Sequence, residues 1–447
     1  MSSPNAEPTG PFTAEETRRL RADIDRLRAP GAYRPGRWSV SPLNRDPEVT
    51  GPVPERIRLR DTTLRSAGTM PGVFAPREDT HAFLRALVAS GVPSIVTAGL
   101  SGRADDEVRE DLAAIEAANP DCVAVCPFVT TTDDADRAHR LGYHAVQIPV
   151  AGFGPASLIY ESSIYPMAWQ GRDWRRAVTA RERADFVARA ATVVAHARGS
   201  GLRVIASTMM VSFASPEMLA ETVTRLGAAG AGEITLFDGP GSLGPEAFAR
   251  LVRDVKSAAP DVEVGLHPHN AFGLAVACAV AAANAGADVV EASVNGYCGG
   301  PGNADLAVTA AAFEAVYGVR TGIRLQALTA LARSAEELTG YRVAWNHPIT
   351  GTDTFCWGGG DWIAQETEID PLLHNSIEPA LVGNARLLPL TPQSGAYAMA
   401  ATLRRLGVDV DPVNVPAVLR RCQEESRARR RLLSDEEIRE IARHSHR

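Results

Sequence analysis

From Arg56 onward the chain alternates between two hydrophobic patterns. Short β-rich segments recur, and between them lie stretches whose apolar residues return every three to four positions, the period of an amphipathic helix. The segments that read as strands are Ile57–Asp61, Ser94–Ala98, Cys122–Phe128, Ala145–Pro149, Arg203–Ser207, Glu233–Phe237, Val262–His267 and Val289–Val294. Arg181–Ser200 and Pro245–Ala259 are typical of the helical stretches. Strand–helix alternation repeated eight times predicts an α/β fold, a (β/α)8 TIM barrel. The rival is a doubly wound open sheet. That fold expects a Gly-rich phosphate turn after the first strand, and here Arg60-Asp61-Thr62-Thr63 stands instead.

The alternation stops after about Tyr317. Leu325–Thr339 reads as a helix, followed by an aromatic, Gly-rich stretch, Tyr341–Asp370. Gln393–Leu406, Asn414–Arg430 and Ser434–Arg443 read as helices, the last opened by the capping signature Ser434-Asp435-Glu436-Glu437. Ahead of the barrel, residues 1–50 are rich in Pro, Arg and Gly, with one helical stretch from about Ala14 to Leu27. They read as an extension that packs on a partner or on the barrel. The expected organisation is therefore an extension (1–50), a catalytic barrel (51–320), a linker subdomain (321–390) and a smaller helical subdomain (391–447).

Composition narrows the function classes. The 447 residues are 45% hydrophobic, as in a globular protein with a large core. A formal charge of −7 argues against a nucleic-acid partner, which calls for a basic face. No apolar run reaches the roughly 18 residues that span a bilayer, and the N-terminus lacks the basic and apolar regions of a secretory signal. Cys122, Cys126, Cys278, Cys298, Cys356 and Cys422 are dispersed without zinc-finger spacing. A reducing cytoplasm is the expected compartment.

Chemistry concentrates where the strands end, the face on which barrel enzymes carry their active sites. The seventh strand ends in His267-Pro268-His269-Asn270. Positions i and i+2 of a strand share a face, so both imidazoles can aim at one ion. The first strand ends in Arg60-Asp61, and the eighth runs into Asn295 through Asn303. Barrel closure makes these three strands neighbours. One carboxylate, two imidazoles and an amide oxygen suit Mg²⁺, Mn²⁺, Co²⁺ or Zn²⁺. A 2-oxo acid can fill open positions on such an ion, and Arg60 can hold the developing oxyanion. The alternative for Arg60 and Asp61 is a salt bridge that closes the barrel.

Arg60-Asp61-Thr62-Thr63-Leu64-Arg65 with Pro71-Gly72-Val73, His267-Pro268-His269-Asn270-Ala271-Phe272-Gly273, and Asn295-Gly296 through Gly302-Asn303-Ala304 resemble the DRE-TIM metallolyase superfamily. The resemblance runs from about Arg56 to Tyr317 and implies metal ligands at Asp61, His267, His269 and Asn303, with Arg60 as catalytic arginine. Asn346-His347-Pro348-Ile349-Thr350-Gly351, Glu378 through Asn384 and Ser394-Gly395 are similar to the linker subdomains of homocitrate and isopropylmalate synthases. That group condenses acetyl-CoA with a 2-oxo acid and hydrolyses the thioester.

The departures from that group point to a non-standard substrate. Where the synthases continue their first motif as Asp-Gly-Glu-Gln, this chain has Ser66-Ala67-Gly68-Thr69. Where the fifth strand of the synthases delivers an acidic residue, Ser207-Thr208-Met209-Met210 follows. The histidines of the synthase linker are missing from Phe355 through Trp362, and Cys298-Gly299-Gly300 is closer to the Gly-rich loop of the aldolases. Cys298 and Asp361 are candidate acid–base groups, with His347 as a further contact; Ser162, Ser163, Thr208 and Tyr297 are candidate substrate contacts. Tyr165 stands where the synthases have a substrate-loop histidine. Each of these side chains also fits an ordinary packing or surface role.

Three functions follow. The first is a divalent-metal-dependent, Claisen-type condensation of an acyl-CoA with a 2-oxo acid, in a homodimer. The second is a metal-dependent aldolase or lyase. The third is a catalytically silent barrel.

Overall fold

The computed structural model describes residues 12–150, 179–358 and 360–444. Two compact units emerge: residues 45–343, and residues 1–44 together with 344–447. This partition differs from the one expected. The N-terminal segment joins the C-terminal third, and the helix Leu328–Thr339 belongs to the barrel unit.

The barrel unit closes through eight parallel strands in sequence order. They are β1 (Arg58–Asp61), β2 (Ser94–Val96), β3 (Val123–Cys126), β4 (Ala145–Val150), β5 (Arg203–Thr208), β6 (Glu233–Asp238), β7 (Glu263–Pro268) and β8 (Val289–Ala292). Closure is made by β8 on β1, with Glu291 opposite Arg60 and Ala292 opposite Asp61. A packed interior needs inward apolar residues on alternate strand positions. Val96, Val125, Ala145 and Ile205 supply them in one buried cluster. Other barrel positions are polar: Arg60, Gln147, Glu233, Thr235, His267 and Glu291 are all buried. The segment after β4, with Ser162, Ser163 and Tyr165, lies outside the described residues.

The second unit is mainly helical. Ala396–Leu406, Val415–Arg429 and Asp435–His444 pack around a core that includes Met399, Leu403, Val418 and Ile438. Its N-terminal segment is bonded into the same unit: Arg28 pairs with Asp370, Ser39 N donates to Ser376 O at 2.9 Å, and Trp38 is buried. Among the described residues no helix is long and apolar enough to cross a membrane.

Candidate active site

Inside the barrel a chain of charges crosses from β1 to β8. Arg60 binds Glu233 with both Nη atoms, at 2.7 and 2.6 Å, and its Nη1 also lies 3.2 Å from Glu291 Oε1. Gln147 Nε2 donates to the same Glu291 oxygen at 2.9 Å. The other Glu291 oxygen lies 2.8 Å from His267 Nδ1. Burial disfavours the charge on Arg60, but Glu233 and Glu291 outweigh it and hold the guanidinium firmly ionised. Burial likewise opposes the charge on Glu291; the hydrogen bond and charge of His267, then the charges of Arg60 and Arg65, bring it below the ordinary carboxylate range. These bonds occupy Arg60. It is a buried structural cation, the salt-bridge alternative for this residue, and not the oxyanion partner expected from the sequence.

His267 stands at the upper end of this network. Its ring stacks on Phe237 at 3.7 Å between centroids, and the His269 ring centroid is 5.2 Å away. Burial lowers its pKa to about 4, against the opposing pull of Glu291. A neutral imidazole bonded through Nδ1 to a carboxylate presents the lone pair of Nε2, the arrangement found around metal-bound histidines. Nε2 lies 3.4 Å from the Asn303 amide, whose oxygen accepts from Ser293. Backbone pairing of His269 with Asn303 joins the two loops. The joint depends on Gly302, where a Cβ would fall 2.2 Å from Gly296 O and φ is +79°.

Asp61 is not part of this group. Its carboxylate accepts from Thr63 N at 2.9 Å and from Thr63 Oγ1 at 2.6 Å, while Val294 N donates to Thr63 Oγ1 at 2.8 Å. Asp61 therefore pins the turn that leaves β1, and burial raises its pKa to about 7. Among the described residues no three His, Cys, Asp or Glu side chains form a metal-holding group. The side chains that do come together are two imidazoles and an amide, and the amide turns its nitrogen to His267 while its oxygen is held by Ser293. The two imidazoles suit a divalent ion, without the expected carboxylate and without the Asn303 oxygen.

Arg65 was quoted only as part of a motif, yet it sits at this mouth. It lies on the short helix Thr63–Ala67, with its guanidinium carbon 5.0 Å from the Phe128 ring centroid and 4.9 Å from that of Phe237. Among the described residues its buried Nε has no hydrogen-bond partner. Its charge is felt at His267, Glu291 and Cys298. The Cys298 thiol is raised by burial. Hydrogen bonds to His269 and Thr69, with the charges of His269 and Arg65, outweigh that and bring it down to about 7.

The other expected contacts are committed elsewhere. Thr208 Oγ1 donates to Thr235 O at 3.1 Å, and Tyr297 Oη donates to Tyr341 O at 2.6 Å. Asp361, in the second unit, accepts from Gly395 N at 3.0 Å and Ala398 N at 2.8 Å. That caps the helix Ala396–Leu406 and removes Asp361 as a free acid–base group. His347 Nδ1 lies 3.0 Å from Pro348 O and 3.1 Å from Thr350 Oγ1, in its own turn. Ser162 and Ser163 fall outside the described residues.

Residues 56–334 match the HMGL-like family model. A Methanopyrus kandleri protein described as an (R)-citramalate synthase is 32% identical over 82% of this chain and 68% of its own length. The 2-phosphonomethylmalate synthase of Streptomyces rubellomurinus is 30% identical over 83% of this chain and 92% of its own. A 2-isopropylmalate synthase of Ignicoccus hospitalis is 29% identical over 82% and 87%. Among solved structures, a hydroxymethylglutaryl-CoA lyase from Brucella melitensis matches at a TM-score of 0.53 and 19% identity, covering 64% of this chain and 100% of that one. At that identity the likeness is one of fold.

Proposed function

The chain belongs to the HMGL-like family, in the synthase branch of the DRE-TIM metallolyases, and from that premise we propose that it condenses an acyl-CoA with a 2-oxo acid. The observation that carries this reading is coverage. The synthases align over 82–83% of the chain, whereas the lyase fold is exhausted by 64% of it. The relatives include enzymes of citramalate and of phosphonomethylmalate formation, so the 2-oxo acid position tolerates varied side groups.

In this reaction a base takes a proton from the carbon next to the thioester. The carbanion attacks the ketone carbon, the ketone oxygen takes up the negative charge and then a proton, and water releases free CoA. Arg65 is the group we assign to the developing oxyanion, because among the described residues its buried Nε has no hydrogen-bond partner and its faces are held by two aromatic rings. His267 and His269 would be the protein donors to the divalent ion, which supplies Lewis-acid polarisation of the ketone when bound. His267 is fixed for that task by Glu291 and Phe237. A cytoplasmic homodimer completes the reading.

Thiol release tests it: purified protein, a divalent ion, and a grid of acyl-CoAs against 2-oxo acids. Release that requires both partners is expected. Absence of release in every pair, with pyruvate or acetyl-CoA formed from a single substrate, would move the assignment to a lyase. The Cys298 thiol beside His269 is the observation that favours that second reading.

A further inference from the structure

We propose that the barrel holds a second small-molecule site at the N-terminal ends of its strands, opposite the catalytic mouth, and that it takes an aliphatic carboxylate with a neutral oxygen at its far end. The inference stands apart from the condensation reading, since none of the residues that line the site is assigned to that chemistry.

The site follows from strand alternation. Arg58 and Arg60 share a face of β1, as do Val123 and Val125 on β3 and Arg203 and Ile205 on β5. A TIM barrel normally fills its inward layers with bulky branched side chains. Here two small residues interrupt them. Ser94 is paired between Arg60 and Val123, and Ala145 between Val125 and Arg203. A cavity of about 650 Å³ results, and it reaches the segments that lead into β2, β3 and β6 at Pro93, Asp121 and Gly230. That is the size of a small-molecule pocket, about 300–1,000 Å³.

Three parts of the lining define the ligand. At the rim, Arg203 and Arg198, the latter on the helix Ala180–Gly199, are exposed and make no ion pair among the described residues. Gly230 lies under the Arg198 stem, where a Cβ would fall 3.0 Å from Arg198 Cγ. Arg58 is neutralised by Glu263 at 2.7 Å, which leaves Asp121 to set against two arginines, so the rim keeps an excess of positive charge. In the middle, Val123, Val125, Ile205 and Val289 form an apolar wall. At the inner end stands Arg60, 5% exposed, whose buried Nε has no hydrogen-bond partner among the described residues. A buried donor left unpaired is costly, and a ligand oxygen supplies the missing acceptor. That oxygen is neutral. The Nη atoms of Arg60 already face Glu233 and Glu291, two carboxylates against one guanidinium, and a third carboxylate there would be repelled. Rim and inner layer are two strand residues apart, about 7 Å, which a chain of about six carbons covers.

The test is binding to the full-length protein, read by calorimetry and by ligand-observed NMR, with three six-carbon probes: ω-hydroxyhexanoate, hexanoate and adipate. The hydroxy acid is expected to bind tightest, by about tenfold over hexanoate, the worth of a hydrogen bond to a charged donor, and ahead of adipate. Arg203→Glu is expected to weaken it by at least about tenfold, because a like charge then meets the carboxylate. Ser94→Leu, which carries bulk into the cavity, is expected to abolish it. Arg65→Met, at the catalytic mouth, is expected to leave it within about twofold, since distant sites act independently. No binding of any probe would mean that water alone fills the cavity and would overturn the proposal. So would adipate bound as tightly as the hydroxy acid, binding unchanged in Arg203→Glu or in folded Ser94→Leu, or binding lost in Arg65→Met. Arg203 is exposed, so its variant decides the matter even if Ser94→Leu fails to fold. The thiol-release assay reports separately on the condensation reading.

Discussion

Arg60 is bound at both Nη atoms by carboxylates inside the barrel, and Arg65 is bound by none among the described residues. The two arginines should therefore fail differently. Arg60→Met strips the partner from Glu233 and leaves Glu291 with less cation, and a buried charge stripped of its partner costs about 3–5 kcal/mol. Denaturant unfolding should show that loss. Arg65→Met forfeits cation–π contacts of about 0.5–1 kcal/mol each, so its unfolding midpoint should move little. Its turnover should fall by about 10²–10³, the typical effect of removing an oxyanion donor. An Arg65→Met protein of full activity would return the role to another residue. Asp61 carries a pH signature. Its pKa in the folded chain is raised to about 7, above the ordinary carboxylate value of 3.8. A raised folded value means that stability is fully present below about pH 4 and is lost as pH climbs through about 7. Asp61→Asn removes that loss. The variant should gain melting temperature relative to the parent between pH 5 and pH 8, and a difference that is flat with pH would contradict the assignment.

At the scale of elements, all eight strands were legible as apolar segments punctuated by helical stretches. Each expected strand has a counterpart, because the period of side chains along a strand is set by local geometry. His267 and His269 were legible for the same reason. The acidic end of β1 was not. Asp61 follows an arginine at a strand terminus, which is how a ligand looks on paper, but the turn into Thr63–Ala67 consumes it. Whether an Arg-Xaa pair faces the mouth depends on where the strand ends and the helix begins, and a shift of five residues changes the answer. The Glu233–Arg60–Glu291–His267 chain was equally hidden, since its members come from four strands far apart in sequence. One element-level prediction follows from its packing. Gly265 on β7 leaves room for Glu233: a Cβ there would stand 2.5 Å from Glu233 Oε1 and 2.8 Å from Thr235 Oγ1. Gly265→Ala must push β7 from β6 or break the Arg60 pair. Overpacking of this kind costs about 1–3 kcal/mol, and the broken pair adds to it. Loss of thermal stability greater than that of Gly199→Ala, where the added Cβ meets nothing and φ is not positive, would bear this out.

At the scale of the whole molecule, the chain leaves its second unit, builds the barrel, and returns to the second unit. Residues 12–44 are thus not a free extension. Arg21 donates to the carbonyls of Glu368 and Ile369, Arg28 pairs with Asp370, and Glu378 N donates to Arg37 O at 2.7 Å. Trp38 is 3% exposed and pairs across to Ile377. Burial of a large aromatic stabilises by about 1.5–3 kcal/mol, and the buried Asp370 loses a partner if Arg28 goes. Removing residues 1–44 should therefore loosen the segment around Glu366–Ile377 and leave the barrel strands intact. Hydrogen exchange is the measurement. Faster exchange confined to the second unit is expected, with protection of Arg58–Ala292 unchanged. Uniform loss of protection through the barrel would mean that the two units do not fold as separate cores, and that the N-terminal segment serves the barrel instead.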